Sequence, residues 1–127
     1  MFKISKVFAF EASHQLTGMP AGHPCARNHG HSYVVRVDLM AEELDELGMV
    51  TDYHNLAPVK EWIDKNVDHQ FLNDVFPGMH TTAENMAEAI FAQVRSLMAS
   101  FPGFDEQWWV ECVAVSETAK TWAEFHG

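Results

Sequence analysis

The sequence is poor in basic residues and in cysteine, and it has no long apolar run. Its 8 lysines and arginines stand against 18 acidic residues, which gives a formal net charge of −10. Because such a surface repels phosphate backbones and anionic lipid heads, we expect neither nucleic acid nor a membrane as a partner. No stretch approaches the roughly 20 apolar residues of a membrane span, and the N-terminus lacks a signal-like apolar segment. We therefore expect a cytoplasmic protein in which Cys25 and Cys112 are free thiols.

The length and composition are typical of one globular domain, which we assign to residues 1–127. A chain with 47% hydrophobic residues has enough apolar surface for a core. It contains no repeat, no low-complexity tract and no linker. The order of the predicted elements is strand, strand, helix, helix, strand, strand. This order predicts an α+β fold in which a four-stranded antiparallel sheet carries two helices on one face.

Alternating apolar residues predict four strands. The first ends at His14, the second begins near His29, and the segment 16–28 between them is a loop rich in glycine and proline. Two further strands, rich in aromatic and β-branched residues, are predicted over 108–116 and 120–125.

Two amphipathic helices are predicted between the strand pairs. The first starts near Asn55 and Pro58, and its apolar residues recur at helical spacing: Leu56, Val59, Ile63 and Val67. The second follows a possible capping box formed by Thr81 and Glu84, and its apolar stripe extends to about Ser100.

Three histidines form a candidate metal site. Alternate side chains of a strand point the same way, so His29 and His31 present two imidazoles to one point, and Gly30 leaves room there. His14 ends the apolar face of the first strand, and pairing of the two strands can bring it alongside. Three imidazoles suit zinc and leave a fourth position for water or substrate, as in catalytic zinc sites. We therefore predict one catalytic zinc per chain.

Less specific interpretations of the histidines and cysteines remain open. The three histidines can be ordinary polar residues, or Cys25 can complete a closed structural zinc site. Cys112 alternates with Val110 and Ala114, so we interpret it as a small buried hydrophobic side chain. The remaining histidines lie in loop-like or terminal stretches and are assigned no role: His23, His54, His80 and His126.

Further residues are candidates for proton transfer and substrate binding. Cys25 lies four residues before His29 and can approach the metal, where a cation would lower its thiol pKa. Asp68 can orient the imidazole of His69, although a helix terminus with ordinary capping roles is the more common explanation of such a pair. Glu117, at the end of an apolar strand, can accept two parallel hydrogen bonds from an amino-pyrimidinone edge, or it can be an ordinary turn acid.

Six short stretches, in order along nearly the whole chain, form a specific combination. They are Phe10–His14 (FEASH), Cys25–Tyr33 (CARNHGHSY), Gly48–Tyr53 (GMVTDY), Val67–Asn73 (VDHQFLN), Thr81–Asn85 (TTAEN) and Ser116–Thr118 (SET). Together they resemble the 6-pyruvoyltetrahydropterin synthase and 6-carboxytetrahydropterin synthase family. The resemblance implies the tunnelling fold, in which trimers stack head to head as hexamers with active sites at subunit interfaces.

The resemblance also implies an activity and a role for each candidate residue. The implied reaction converts 7,8-dihydroneopterin triphosphate and water to 6-carboxytetrahydropterin, acetaldehyde and triphosphate. The implied roles are zinc binding by His14, His29 and His31, proton transfer by Cys25, Asp68 and His69, and anchoring of the pterin ring by Glu117. Thr82, in the fifth stretch, is assigned to substrate binding. Arg27 is assigned there by its position, since a guanidinium forms paired bonds with phosphate oxygens.

The loop before the His-Gly-His unit favours one branch of the family. Three residues separate Cys25 from His29, which is similar to the bacterial 6-carboxy branch of queuosine and related 7-deazapurine biosynthesis. The alternatives are a 6-pyruvoyltetrahydropterin synthase, which would keep the three-carbon side chain, and a zinc-stabilised oligomeric binding module without turnover. Ser116, where many relatives have a basic residue, leaves other pterin substrates open.

Overall fold

A five-stranded sheet forms the centre of the computed structural model, which describes residues 1–127. The strands are β1 (Phe2–His14), β2 (His29–Ala41), β3 (Gln70–Phe71), β4 (Trp109–Thr118) and β5 (Thr121–His126). Their order across the sheet is β3-β1-β2-β4-β5, with β3 parallel to β1 and all other neighbours antiparallel. The α+β class is confirmed, whereas the predicted four-stranded antiparallel sheet lacked β3. A two-residue strand has no alternation that a sequence pattern can reveal.

β1 and β2 form a long hairpin in continuous register, from the pair Phe2–Ala41 to the pair His14–His29. Because successive side chains of a strand point to opposite faces, even-numbered residues of β1 share one face with odd-numbered residues of β2. That face carries the centre of the core: Phe8, Phe10, Tyr33, Val35, Val37 and Leu39. The two histidines of the terminal pair therefore lie at one end of the core face.

Three helices are present: α1 (Ala57–Asn66), α2 (Leu72–Val75) and α3 (Ala83–Met98). The two longer helices were predicted, while the single turn of α2 is too short to show a helical period. α3 packs on β4 and β5 through a buried stripe at helical spacing: Met86, Ala87, Ile90, Phe91, Val94 and Met98. None of the helices combines the length and hydrophobicity needed to cross a lipid bilayer.

The start of α3 differs from the predicted capping box. Thr82 is the N-cap, and its hydroxyl accepts a hydrogen bond from the Asn85 N–H at 3.2 Å. Thr81 is fully buried instead, and its carbonyl oxygen lies 2.7 Å from Nδ1 of His14. The prediction was wrong by one residue because two adjacent threonines are equally good caps by type.

The opposite face of the sheet carries a polar network around Asp38. Arg36 donates two hydrogen bonds to its carboxylate, at 2.9 and 3.0 Å, and the Ser5 hydroxyl donates another at 2.6 Å. In the strand register Asp38 lies between Ser5 of β1 and Cys112 of β4. Cys112 is fully buried, which confirms that part of the sequence interpretation.

Candidate functional site

Three imidazoles converge at one end of the core face. His14 is the last residue of β1 and lies directly opposite His29, the first residue of β2, while His31 lies two positions further along β2. The ring centroids are 4.5 Å apart for His14 and His29, 4.8 Å for His29 and His31, and 5.1 Å for His14 and His31. One nitrogen from each ring lies within 4.8 Å of the others. The hairpin register therefore assembles the trio that the sequence predicted.

Backbone carbonyls fix which nitrogen of two rings carries the proton. Nδ1 of His14 lies 2.7 Å from the Thr81 carbonyl oxygen, and Nδ1 of His29 lies 2.7 Å from the Arg27 carbonyl oxygen. A carbonyl only accepts hydrogen bonds, so each Nδ1 is the donor, and in the neutral form of each ring Nε2 then bears a lone pair. These two Nε2 atoms lie 3.0 Å apart. Two facing lone pairs repel unless a cation lies between them, and a hydrogen-bonded Nδ1–H is the usual arrangement of a metal-binding imidazole.

Burial favours the neutral imidazoles that a metal requires. His14 is almost fully buried. Desolvation lowers its pKa, and this effect exceeds the opposing effects of the Thr81 carbonyl and the Glu117 carboxylate. The pKa of His31 is also lowered, mainly by desolvation, and its Nε2 is buried without a hydrogen-bond partner. Neutral nitrogens without protein partners fit a bound metal ion, and three of them fit zinc with an open position.

Cys25 lies outside this group of ligand atoms. It belongs to a short 3₁₀ turn, Pro24–Ala26, in which its backbone N–H donates to Nδ1 of His23 at 3.1 Å. Its side chain is half-buried. The cluster thus offers three candidate metal ligands, one fewer than the four of a closed structural zinc site.

Glu117 lies beside the histidine cluster. Alternation along β4 gives Glu117 the same face as Val113 and Val115, toward the core, and its Oε2 lies 3.7 Å from Nε2 of His31. That distance is too long for a hydrogen bond, so the carboxylate is available to a ligand. The preceding Ser116 is buried, and its hydroxyl donates to the Thr118 carbonyl.

Tyr33 forms the floor of the site and was not singled out from the sequence. Its ring stacks on Phe10 with centroids 4.9 Å apart and meets the edges of His14 and His31. The hydroxyl is buried without a partner. Burial and the charge of Glu117 raise its pKa far above the ordinary value, so it stays protonated. Its place two residues after His31, on the same face, was the signal available in the sequence.

Thr81 and Asn73 support the cluster, and sequence reasoning missed both roles. The Thr81 carbonyl orients His14, as described above. The Asn73 side-chain amide binds the backbone of Gln15, the residue that follows His14. Its Oδ1 accepts a hydrogen bond from the Gln15 N–H at 3.0 Å, and its Nδ2 donates one to the Gln15 carbonyl at 2.8 Å. Both residues lie within stretches that carry the family resemblance, but only long-range pairing shows what they hold.

Asp68 and His69 lie at the other side of β1. The Asp68 Oδ1 accepts a hydrogen bond from the Glu11 N–H at 2.9 Å, and its Oδ2 lies 3.5 Å from Nε2 of His69. The backbone of His69 is left-handed, with φ of 59°, and its N–H donates to the Glu11 carbonyl at 2.6 Å. Its side chain is 77% exposed. The carboxylate therefore ties the segment to β1 rather than capping a helix, and the imidazole is presented to solvent.

The side chains of the remaining candidates form no hydrogen bond or ion pair with the three histidines. Cys25 forms no side-chain hydrogen bond with Asp68 or His69 within the chain. Arg27 is exposed in the loop and has no carboxylate at ion-pair distance, whereas the Thr82 hydroxyl is engaged in capping α3. The structure thus brings together the three histidines and Glu117, and shows no hydrogen bond between Cys25 and the Asp68–His69 pair.

Comparison with known proteins identifies the family. Residues 3–127 match the family described as 6-pyruvoyl tetrahydropterin synthase. The chain belongs to this family. A Synechocystis protein named 6-carboxy-5,6,7,8-tetrahydropterin synthase is 35% identical over 98% of this chain and 93% of its own length. A Rickettsia bellii protein of the same name is 36% identical over 57% of this chain, a match that spans only about half (51%) of that relative.

A solved structure of the family has the same fold. The Caenorhabditis elegans 6-pyruvoyl tetrahydropterin synthase superposes with a TM-score of 0.83 at 27% identity, covering 99% of this chain and 95% of that one. The fold of the single chain that the family resemblance implied is therefore confirmed.

Proposed function

We propose that the chain is a cytoplasmic, zinc-dependent 6-carboxy-5,6,7,8-tetrahydropterin synthase of queuosine or related 7-deazapurine biosynthesis. It would convert 7,8-dihydroneopterin triphosphate and water to 6-carboxytetrahydropterin, acetaldehyde and triphosphate. The observation that carries the proposal is the trio of imidazoles, whose ring nitrogens meet beside the Glu117 carboxylate. A metal with an open position next to a free carboxylate suits a polar substrate that must be both activated and oriented.

The comparisons favour the carboxy branch over the pyruvoyl branch. The relative that matches over nearly the full length at 35% identity has the 6-carboxy name, whereas the C. elegans pyruvoyl enzyme is 27% identical. The short spacing between Cys25 and His29 points the same way. The pyruvoyl reaction is the second candidate, because both reactions would use the same metal site.

Each part of the site has a task in this proposal. When bound by His14, His29 and His31, zinc would act as a Lewis acid toward oxygens of the substrate side chain. The Glu117 carboxylate would accept two hydrogen bonds from the amino-pyrimidinone edge and so fix the ring. The Arg27 guanidinium, which has no acidic partner, would meet the triphosphate.

Protons would be moved by two separate groups. The half-buried Cys25 thiol would act as the base, while His69, restrained by Asp68, would exchange protons from its exposed ring. Since the structure shows no hydrogen bond between the two groups within one chain, we propose that the active site is completed by a neighbouring subunit in a hexamer. Thr82 would contribute only through its position at the start of α3, where it lies next to the residue that orients His14.

The test is turnover by the purified, zinc-replete chain. Incubation with 7,8-dihydroneopterin triphosphate should release acetaldehyde and 6-carboxytetrahydropterin in equal amounts, followed by mass spectrometry. Release of triphosphate with retention of the three-carbon side chain would instead support the pyruvoyl reaction. Absence of turnover from folded, zinc-loaded protein would support a binding module.

Two variants sharpen this test. Cys25→Ala should retain zinc and lose turnover, because Cys25 lies outside the ligand group; joint loss of zinc and stability would make it a ligand. Glu117→Gln should lower kcat/KM by about 10- to 100-fold, the cost of weakening hydrogen bonds to a charged group. Glu106→Gln, on an exposed loop, is the matched control and should leave kcat/KM unchanged.

A further inference from the structure

A second group of metal-ligating side chains lies on the face of the sheet opposite the three histidines. Cys112, Glu124 and His126, here called the Cys112 cluster, each offer one ligand atom, and these atoms all lie within 4.8 Å of one another. The proposed synthase reaction uses none of them.

The strand register of the β4–β5 hairpin builds the Cys112 cluster. Cys112 lies directly opposite His126, and Ala114 lies opposite Glu124. Residues two apart on a strand point to the same face, so Glu124 and His126 are neighbours on the face that carries the Cys112 thiol. The three donor side chains thus come from adjacent positions of the paired strands β4 and β5, so no loop has to move to bring them together.

Two carboxylates and the guanidinium of Arg36 surround the Cys112 cluster. Arg36 binds only Oε2 of Glu124, at 2.9 Å, and leaves Oε1, which lies 2.9 Å from Nε2 of His126. A carboxylate oxygen accepts, so a proton on the imidazole holds this contact in the absence of a metal. In the neighbouring strand β2, Asp38 lies opposite Cys112 on the same face, and its carboxylate is paired with Arg36. The shared proton therefore occupies the place where a more highly charged ion would bind.

We propose that the Cys112 cluster binds a second divalent cation of the zinc type, through the Cys112 sulfur, one Glu124 oxygen and one His126 nitrogen. A sulfur, nitrogen and oxygen donor set selects zinc or cobalt over magnesium or calcium, which prefer oxygen alone. Binding forms three metal–ligand bonds and releases the thiol proton, while His126 binds as the neutral imidazole through the ring nitrogen that carries no proton. The Glu124 and His126 side chains are 41% and 58% exposed, so the ion can enter from solvent. The bound ion would fasten the edge strand β5 to β4.

The experiment uses cobalt(II) alone as the probe, because cobalt bound to a thiolate gives a near-ultraviolet charge-transfer band that an all-histidine site cannot give. Titration of the full chain should produce this band and saturate at about one thiolate-bound cobalt per chain. The band should persist in Cys25→Ala and in His29→Ala, which alters the three-histidine site. It should disappear in Cys112→Ala and in His126→Ala, with circular dichroism confirming that each variant is folded.

Three outcomes would overturn the proposal. One is the absence of the thiolate band from the folded, unmodified chain. The second is a band that is lost in Cys25→Ala and kept in Cys112→Ala, which would place the thiolate at the three-histidine site. The third is a band that survives in folded His126→Ala at unchanged affinity. That result would show that the thiolate binds cobalt without the His126 imidazole, contrary to the proposed ligand set. His126 is exposed at a strand end, so this variant is expected to fold even if Cys112→Ala does not.

Discussion

At the scale of single residues, metal binding depends on which imidazole nitrogen carries the proton. The carbonyl oxygens of Thr81 and Arg27 each hold an Nδ1–H, and this directs the free Nε2 of His14 and His29 to one point. Such outer partners typically change metal affinity by about 10- to 100-fold, so loss of a ligand itself should have at least that effect.

The first prediction is that His29→Ala weakens zinc binding by more than about 10-fold. His29 is chosen because it is only half-buried, whereas truncation of the buried His14 would also open a cavity in the core. Affinity is measured by competition with a chromophoric chelator. His54→Ala, with a side chain that is 95% exposed, serves as the control. Equal zinc affinity in the two variants would remove His29 from the ligand set.

A second prediction at this scale concerns acid stability. Asp38 has a side chain only 3% exposed. Although burial alone would raise its pKa, hydrogen bonds from Arg36 and Ser5 hold the pKa of this carboxyl below its usual range. The folded-state pKa is thus lower than that of the unfolded chain, about 3.9. Its contribution to stability is therefore complete above that value and is lost as the pH falls through the folded-state pKa.

Asp38→Asn should accordingly lower the free energy of unfolding by about 1.5–3 kcal/mol at pH 7. The difference from the unmodified chain should shrink below about pH 4, where the unfolded carboxyl becomes protonated. Urea unfolding at a series of pH values measures both effects. Asp64→Asn breaks an exposed pair with Lys60 and should cost less than about 0.5 kcal/mol at any pH. A constant Asp38→Asn deficit across the pH range would contradict the linkage.

At the scale of elements, a substitution at the start of α3 can distinguish a structural role of Thr82 from a role in substrate binding. Its hydroxyl caps the helix, so Thr82→Ala should lower the free energy of unfolding by about 1 kcal/mol. Zinc affinity and the KM of the folded enzyme should stay unchanged. Thr17→Ala, on an exposed loop, is the control and should alter neither quantity. A raised KM with unchanged stability would restore the substrate role that the sequence assigned to Thr82.

The elements show where sequence patterns were informative. Period-two alternation predicted β1 and β2, and with it the face shared by His29 and His31, because alternation is a property of a single strand. β3 was missed because two residues have no period, and its pairing depends on the contact between Asp68 and Glu11. The support of His14 was missed for a similar reason, since its partner lies 67 positions away.

At the scale of the whole molecule, two features bear on assembly: the sheet has open edges, and the proposed proton-transfer groups Cys25 and His69 are not bonded to each other within one chain. β5 forms one edge, and at the other edge β3 covers β1 only at Ala12 and Ser13. Unpaired strand edges are pairing surfaces for other chains, which supports assembly into the proposed hexamer. Cys25 and His69 form no hydrogen bond with each other within one chain, and the His69 ring is exposed. Assembly through these edges would bring the two residues together from different subunits.

The last prediction tests whether Cys25 and His69 of one active site come from different subunits. Cys25→Ala and His69→Ala should each be inactive alone, yet coexpression of the two variants with different tags should restore activity. If each site takes Cys25 from one chain and His69 from another, random mixing leaves about a quarter of the sites with both residues intact. Acetaldehyde release by doubly tagged oligomers measures the recovery. If both residues of a site came from the same chain, every site in the mixture would have one lesion and no activity would return. The recovered fraction therefore reports directly which chain supplies each proton-transfer group.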